Sequence, residues 1–161
     1  MTVDAAWRGL RSVAVVAAVA AVAAVAARTV AAQKPPTGPV ADQLGARVAR
    51  LMETDFRGHI TTRPGRLVCA ARPFGTYPER PIDAAQVATV YAWVSCRESG
   101  PGAQAGLLSV AVSLDDPPTV RVPSHGPDRE RSIRRIFPAD VRDAMRAVDT
   151  KDLAAEVRPV A

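Results

Sequence analysis

The stretch VATVYAWVSC, residues 87–96, decides the fold class of this chain. Its even-numbered positions carry small apolar side chains and end on Cys96, one of only two cysteines in the sequence. Its odd-numbered positions carry Val87, Thr89, Tyr91, Trp93 and Ser95. Because successive side chains of a β-strand point to opposite faces of a sheet, the alternation predicts a strand whose even positions face a core.

The other cysteine lies in a second predicted strand, LVCAARPFG, residues 67–75, where Leu67, Cys69 and Ala71 share one face. Pairing Cys69 with Cys96 centres the connecting turn inside PERPID, residues 78–83, so the hairpin register and the bridge agree. Neighbouring antiparallel strands supply the Cα separation of about 4.4–6.8 Å that a disulfide needs. The sequence therefore predicts a disulfide, in preference to two free core cysteines, a catalytic thiol or a metal site.

Further periodic segments flank these two strands. A helix is predicted from Pro39, because four apolar residues recur at helical spacing: Val40, Leu44, Val48 and Leu51. Residues 108–114 alternate large apolar with small side chains and predict a third strand, and residues 119–122 predict a short fourth one. FPADVRDAMRAV, residues 137–148, predicts a helix with Pro138 at its first position. Pro73 restricts the first strand to an edge of the sheet or ends it there.

This order predicts an α+β fold: a helix, a four-stranded antiparallel meander and a C-terminal helix, with the helices covering one face of the sheet. We place the domain at residues 40–150, after a Pro-rich linker at residues 33–39 (QKPPTGP), and a C-terminal tail at residues 151–161. Residues 1–32 form a separate apolar segment.

The apolar segment contains fifteen consecutive Ala or Val residues at positions 13–27, preceded by Arg8 and Arg11. A positive start, an apolar run and small residues are typical of a secretory signal peptide, with candidate cleavage sites ending at Ala26 or Ala32. Arg28 argues against cleavage, and a run of this length lies between those of signal peptides and spanning helices. A cleaved signal peptide and a single transmembrane anchor both stay open. We expect an extracytoplasmic domain, although a reversed anchor would leave it in the cytoplasm.

Charge argues against nucleic acid as a partner. The formal charge of the chain is +5, but four basic residues and one acid precede Pro39, which leaves 17 basic and 15 acidic residues in the remainder. That net charge of +2 is close to balance, and no basic stripe interleaved with aromatic residues is present in the sequence.

The candidates for chemistry are few. His59 and His125 lie beside glycines in predicted loops, and four acids surround His125 in sequence: Asp115, Asp116, Asp128 and Glu130. Their spacing does not match a calcium loop, and the sequence has no GxSxG, SxxK, HExxH or phosphate-loop motif. We therefore expect no metal and no cofactor, and an enzyme using His125 and nearby acids is only an alternative.

Two groups of residues are candidates for a binding surface. RERSIRR collects Arg129, Arg131, Arg134 and Arg135 before the last helix, and such a cluster suits an envelope protein or an anionic surface polymer. Neighbouring acids and solvent are its ordinary partners. Tyr91 and Trp93 share one strand face, where they form either an exposed aromatic strip or a layer packed beneath a helix.

At LVCAARPFGTYP, VYAWVSC, SVAVSL and IFPADVR, the chain resembles a loose group of uncharacterised actinobacterial proteins that have an N-terminal apolar segment and one small extracytoplasmic domain. The likeness covers residues 67–145 and implies an exported or membrane-anchored domain without a transferable activity. A helix against a four-stranded antiparallel sheet also looks like the cystatin architecture. The sequence therefore favours a non-catalytic extracytoplasmic binding domain, with a cystatin-like protease inhibitor and a small secreted enzyme as alternatives.

Overall fold

The computed structural model describes residues 31–61, 65–98 and 106–157, so the predicted signal or anchor segment lies outside the described residues apart from its last two positions. The described residues from Ala32 onward belong to one compact unit. Its main elements are α1 (Gly38–Glu53), β1 (Leu67–Tyr77), β2 (Thr89–Glu98), β3 (Gly106–Ser113), β4 (Thr119–Arg121), α2 (Arg129–Ile136), α3 (Ala139–Ala147) and the short α4 (Leu153–Glu156). None of the described helices is long and apolar enough to cross a bilayer.

The four strands form one antiparallel sheet in the order β1-β2-β3-β4, which confirms the predicted meander and the α+β class. In the β1–β2 pair, Cys69 lies opposite Cys96, and their Cα atoms are 4.1 Å apart. The two cysteines form a disulfide that joins neighbouring strands across 27 residues of sequence. Both are buried, so the bridge is part of the core.

Helices cover both faces of the sheet, whereas the sequence predicted coverage of one face only. Helix α1 packs on the face of the disulfide, where Val48 and Met52 lie against the even-numbered residues of β2. The opposite face carries a second apolar cluster, in which Ile133 of α2 and Val141 of α3 pack with Tyr91. The one-face prediction fails because the odd positions of β2 are large enough to need a second cover of their own.

Several element boundaries also differ from the predictions. Strand β1 continues past Pro73 to Tyr77, with a register shift between Pro73 and Gly75, and Pro73 lies in an edge strand as expected. The Arg-rich segment before the last helix is itself a helix, α2. The predicted C-terminal tail contains α4, and Leu153 and Val157 there are almost fully buried.

The free edge of β1 is closed by side chains rather than by another strand. Glu53 accepts a hydrogen bond from the Cys69 backbone N–H at 2.8 Å. Gln33 accepts one from the Thr76 N–H at 2.8 Å and donates one to the Thr76 carbonyl at 3.0 Å. Pro73 has no N–H to offer. Unpaired backbone groups at a sheet edge are templates for association, and these contacts occupy three of them on β1.

Helix α1 crosses β1 at Gly45. A Cβ atom at this position would lie 2.6 Å from the carbonyl oxygen of Ala71, which belongs to the β1 backbone and has little freedom to move. The crossing distance of helix and strand is therefore set by the absence of a side chain at Gly45.

Removal of the bridge by Cys69→Ala together with Cys96→Ala is expected to lower the free energy of unfolding by about 3 to 4 kcal/mol, because a crosslink over this loop length restricts the unfolded chain. Urea unfolding followed by circular dichroism measures the change. Reduced wild-type protein serves as the control, since it loses the same crosslink without losing the sulfur atoms. Equal unfolding midpoints for oxidised protein, reduced protein and the double variant would contradict a stabilising bridge.

Gly45→Ala is expected to destabilise the fold by about 1 to 3 kcal/mol through overpacking, although the same change in an unhindered helix gains about 0.5 to 1 kcal/mol. Gly58→Ala is the matched control, because no atom lies within 4 Å of the position of its Cβ. Urea midpoints of the two variants give the comparison. A Gly45→Ala protein at least as stable as wild type would show that α1 is free to shift away from β1.

Candidate functional site

The register of the sheet defines two ends that carry different surfaces. At one end, which we call the Tyr77 end, Tyr77 pairs with Thr89, and Thr89 pairs with Ser113. At the other end, the Leu107 end, Ala70 pairs with Ser95, and Ser95 pairs with Leu107. Seven residues of β1 separate Ala70 from Tyr77, a distance of roughly 20 Å along a strand.

The basic cluster predicted from the sequence lies on α2. Ile133 is buried against the sheet and fixes the helix, while all four arginines are exposed: Arg129, Arg131, Arg134 and Arg135. Two of them are paired within the segment, Arg131 with Asp128 at 3.3 Å and Arg134 with Glu130 at 3.1 Å. Among the described residues, Arg129 and Arg135 make no ion pair or side-chain hydrogen bond.

A small concavity of about 160 Å³ lies beside this helix, lined by Ser124, Asp128, Arg131, Ser132 and Arg135. The Ser124 backbone N–H donates to the Ser132 hydroxyl at 3.0 Å, and the two hydroxyl oxygens are 3.5 Å apart. Two guanidinium groups and two hydroxyls are donors suited to an oxyanion, while Asp128 neutralises part of the charge of Arg131. The concavity can take a phosphate or carboxylate group from solvent but cannot enclose a larger ligand.

His125 lines a separate concavity of about 220 Å³ at the Leu107 end, together with Arg129 and with Leu107, Leu108, Ser109, Val122 and Pro123. None of the four acids expected near His125 lines it. Asp115 instead receives a hydrogen bond from Ser113 at 2.5 Å, and Asp128 and Glu130 pair with arginines of α2. Within the described part of the chain, no carboxylate therefore lines the His125 concavity to act with it as a general acid or base.

A metal centre is not formed by the described part of the chain either. No group of three or more His, Cys, Asp or Glu side chains converges within residues 31–61, 65–98 and 106–157. His59 lies in a short 3-10 turn, where its ring is 6.4 Å from that of Phe56 in an edge-to-face contact. The two histidines thus lie in unrelated surroundings.

Tyr91 and Trp93 do not form an exposed strip. Tyr91 is 8% exposed and makes an edge-to-face contact with Phe137, with ring centroids 6.0 Å apart. Trp93 is half-buried, and its indole N–H donates to the Met145 carbonyl at 3.1 Å. The sequence left two alternatives open for this pair. In the structure, the two side chains pack beneath the C-terminal helices.

Sequence reasoning missed a surface at the Tyr77 end. Tyr77, the last residue of β1, is 66% exposed, and Ile82, in the loop between β1 and β2, is 86% exposed. Their sequence neighbours Thr76 and Pro81 line an open groove of about 440 Å³, together with Lys34, Pro35, Pro36, Thr37, Val40 and Arg80. The available signal was Ile82 itself, an apolar residue inside a Pro-rich turn where no core position is predicted.

Comparisons of the chain with protein-family models, with curated proteins and with solved structures give no match.

The substitution Tyr91→Phe tests whether the buried phenol makes the stability of the fold depend on pH. Burial raises the pKa of Tyr91 above its ordinary value of 10.0; the charge of Arg121 opposes the shift and that of Asp140 adds to it. The folded state therefore holds the proton more tightly than the unfolded state, so the stabilisation is complete below about pH 10 and is lost as the pH rises through the raised pKa.

We expect the free energy of unfolding of wild type to fall between about pH 8 and about pH 11, and Tyr91→Phe to reduce that fall. Urea unfolding at the two pH values gives the measurement. Tyr77→Phe, the same substitution at a largely exposed position, is the matched control. The same slope in wild type and Tyr91→Phe would contradict a raised pKa for the buried phenol.

Proposed function

We propose that this chain is a non-catalytic extracytoplasmic binding domain that presents α2 to an anionic polymer of the cell envelope. The observation that carries the proposal is the unpaired state of Arg129 and Arg135 among the described residues, on a helix that also shares an oxyanion-sized concavity with Ser124 and Ser132. Arginines that lack an internal partner are available for phosphate or carboxylate groups of another molecule.

The distribution of charge supports a polymer rather than a single small anion. Four arginines and two acids between Asp128 and Arg135 give the segment a net charge of +2 over about two turns of helix. Each exposed contact is weak because water and salt screen it, so useful affinity needs several contacts at once. A polymer with repeated anionic groups supplies them through a high effective concentration.

Binding is favoured over catalysis by what surrounds His125. Its concavity is small, and the only other titratable side chain that lines it is that of Arg129, which cannot act as a base at neutral pH. A small secreted enzyme would need a carboxylate or a second histidine within reach of a substrate there.

The proposed location follows from two features of the chain. A structural disulfide is typical of oxidising compartments outside the cytoplasm. The Ala/Val run at residues 13–27 supports export, either as a cleaved signal peptide or as an anchor. We also propose kinship with the actinobacterial group of exported small domains that the strand and helix motifs resemble.

The double variant Arg129→Ala/Arg135→Ala is expected to weaken binding to a polyanion by about tenfold, because two exposed ionic contacts are lost. Fluorescence anisotropy with labelled polyphosphate and labelled polygalacturonate, using the full chain in mild detergent, measures the affinities and separates phosphate from carboxylate preference. Binding should weaken steeply with added salt.

The matched control for this experiment is Arg50→Ala/Arg146→Ala, which removes the same amount of charge from exposed positions outside the cluster. We expect a loss of less than about twofold there. Equal losses of affinity for the two double variants would show that only the net charge of the chain matters and would contradict a specific role of α2. No binding to either polyanion would refute the proposal.

A cystatin-like protease inhibitor remains the second candidate, supported by the order of α1 followed by the four-stranded antiparallel meander. The loop expected to contact a protease, GPGAQAG at residues 100–106, lies outside the described residues except for Gly106. Inhibition of a protease that disappears when this loop is replaced by a Gly/Ser sequence of equal length would favour that function.

A further inference from the structure

We propose that the Tyr77 end of the domain is a lipid-facing surface, on which Tyr77 and Ile82 contact the interface of the bilayer that holds residues 13–27. The inference rests on the anchored form of the function proposed above. It adds an orientation, with the Tyr77 end of the sheet on the membrane and the start of α2 at the opposite end.

The first observation is that the chain is fixed to the fold at Gln33, the first residue of the predicted linker. The Gln33 side chain makes two hydrogen bonds with the backbone of Thr76, and its own backbone N–H donates to the Asp140 carbonyl at 3.1 Å. Gln33 is only 8% exposed, and a Cβ atom at Gly75 would collide with its side-chain oxygen. The predicted spacer therefore begins inside the fold and does not hold the domain at a distance.

The second observation is the length of chain between this point and the apolar run. The run ends at Ala27, so five residues, 28–32, precede Gln33. Fully extended residues span at most about 3.3 to 3.6 Å each, which limits this segment to roughly 20 Å. Because the Gln33 side chain is hydrogen-bonded to Thr76, the residue next to Tyr77, this short segment joins the fold at the Tyr77 end.

The third observation is the chemistry exposed at this end. Among the described residues, only three large apolar side chains are exposed, and two of them, Tyr77 and Ile82, directly follow Thr76 and Pro81, which line the groove with Lys34 and Arg80. The third, Leu107, lies at the opposite end. Tyrosine is enriched at membrane interfaces because its ring and hydroxyl suit the boundary between lipid and water, and lysine extends its ammonium group to the same region.

The charges at this end decide what kind of lipid the surface needs. Lys34 and Arg80 are offset by Glu79 and Asp83 in the same loop region. Asp115 and Asp116 are also exposed near this end, because they follow Ser113, which pairs with Thr89 there. The surface therefore carries no excess of positive charge, and its contact with lipid rests on the apolar side chains. We therefore expect a zwitterionic bilayer to be sufficient, without a requirement for anionic headgroups.

The lipid contact gives the proposed binding domain a defined orientation on the membrane. Arg129 shares a concavity with Leu107 and Leu108, so the start of α2 lies at the Leu107 end, roughly 20 Å along the strands from Tyr77. A domain seated on lipid at the Tyr77 end presents the start of α2, with Arg129, to polymer outside the membrane.

Bromine-labelled acyl chains test this orientation, since they quench tryptophan fluorescence only at short range. Ile82→Trp and its matched control Leu107→Trp place a new indole at exposed apolar positions at opposite ends of the sheet. Each full-length variant is reconstituted in phosphatidylcholine vesicles with and without brominated chains, and the signal of wild type, which contains Trp7 and Trp93, is subtracted. Tyr77→Trp replaces Ile82→Trp if that variant does not fold.

We expect at least twofold stronger quenching at position 82 or 77 than at position 107, with no further change when anionic lipid is added. Equal quenching at the two ends, or quenching that appears only with anionic lipid, would overturn the proposal. A mature chain that begins at Gln33 in its host would also overturn it, because the tether would be lost. Polyanion binding by the same vesicles is read separately, so failure of the lipid contact is distinguishable from failure of the basic helix.

Discussion

The pairing of Cys69 with Cys96 is the constraint on which the rest of the structure depends. A one-residue slip between β1 and β2 would move every side chain of a strand to the wrong face, and the bridge forbids such a slip. With that register, the small even positions of β2 face α1, and Tyr91 and Trp93 face α2 and α3. Both apolar layers therefore depend for their alignment on one covalent link between two neighbouring strands.

Much of the fold can be predicted from the sequence, but the helices that cover the second face of the sheet cannot. Period-2 alternation predicts β2 and β3, and the matching positions of two cysteines predict the bridge, because both signals are local. The cover on the odd face is harder to predict, since α2 shows only Ile133 and Ile136 among charged residues and is held by contacts with distant Phe74 and Tyr91. The burial of Gln33 cannot be predicted from hydropathy. A polar side chain is buried only where it finds hydrogen-bond partners, and here these are the backbone groups of Thr76.

The candidate site, too, could be predicted from the sequence only in part. The sequence predicts four clustered arginines, but which of them are free depends on helical spacing: Arg131 and Arg134 reach acids three and four residues earlier, while Arg129 and Arg135 do not. Ser124 joins this group only because β4 and the following segment return to α2. His125 and its neighbouring acids are close in sequence, but none of these acids lines the His125 concavity, and Asp115 and Asp128 bond to other partners. Proximity along the chain is a poor guide to chemistry in loops.

The closed edge of β1 limits how copies of this domain can associate. Gln33, Glu53 and Pro73 leave that strand little to offer a neighbour, whereas β4 is the last strand of the sheet among the described residues, with no strand beyond it. Growth of a continuous intermolecular sheet needs two receptive edges on every molecule. A domain with one receptive edge can pair only with the same edge of a second copy, and extension stops there. Accumulation at high local density on a crowded surface therefore leads at most to dimers by this route, and not to fibrils.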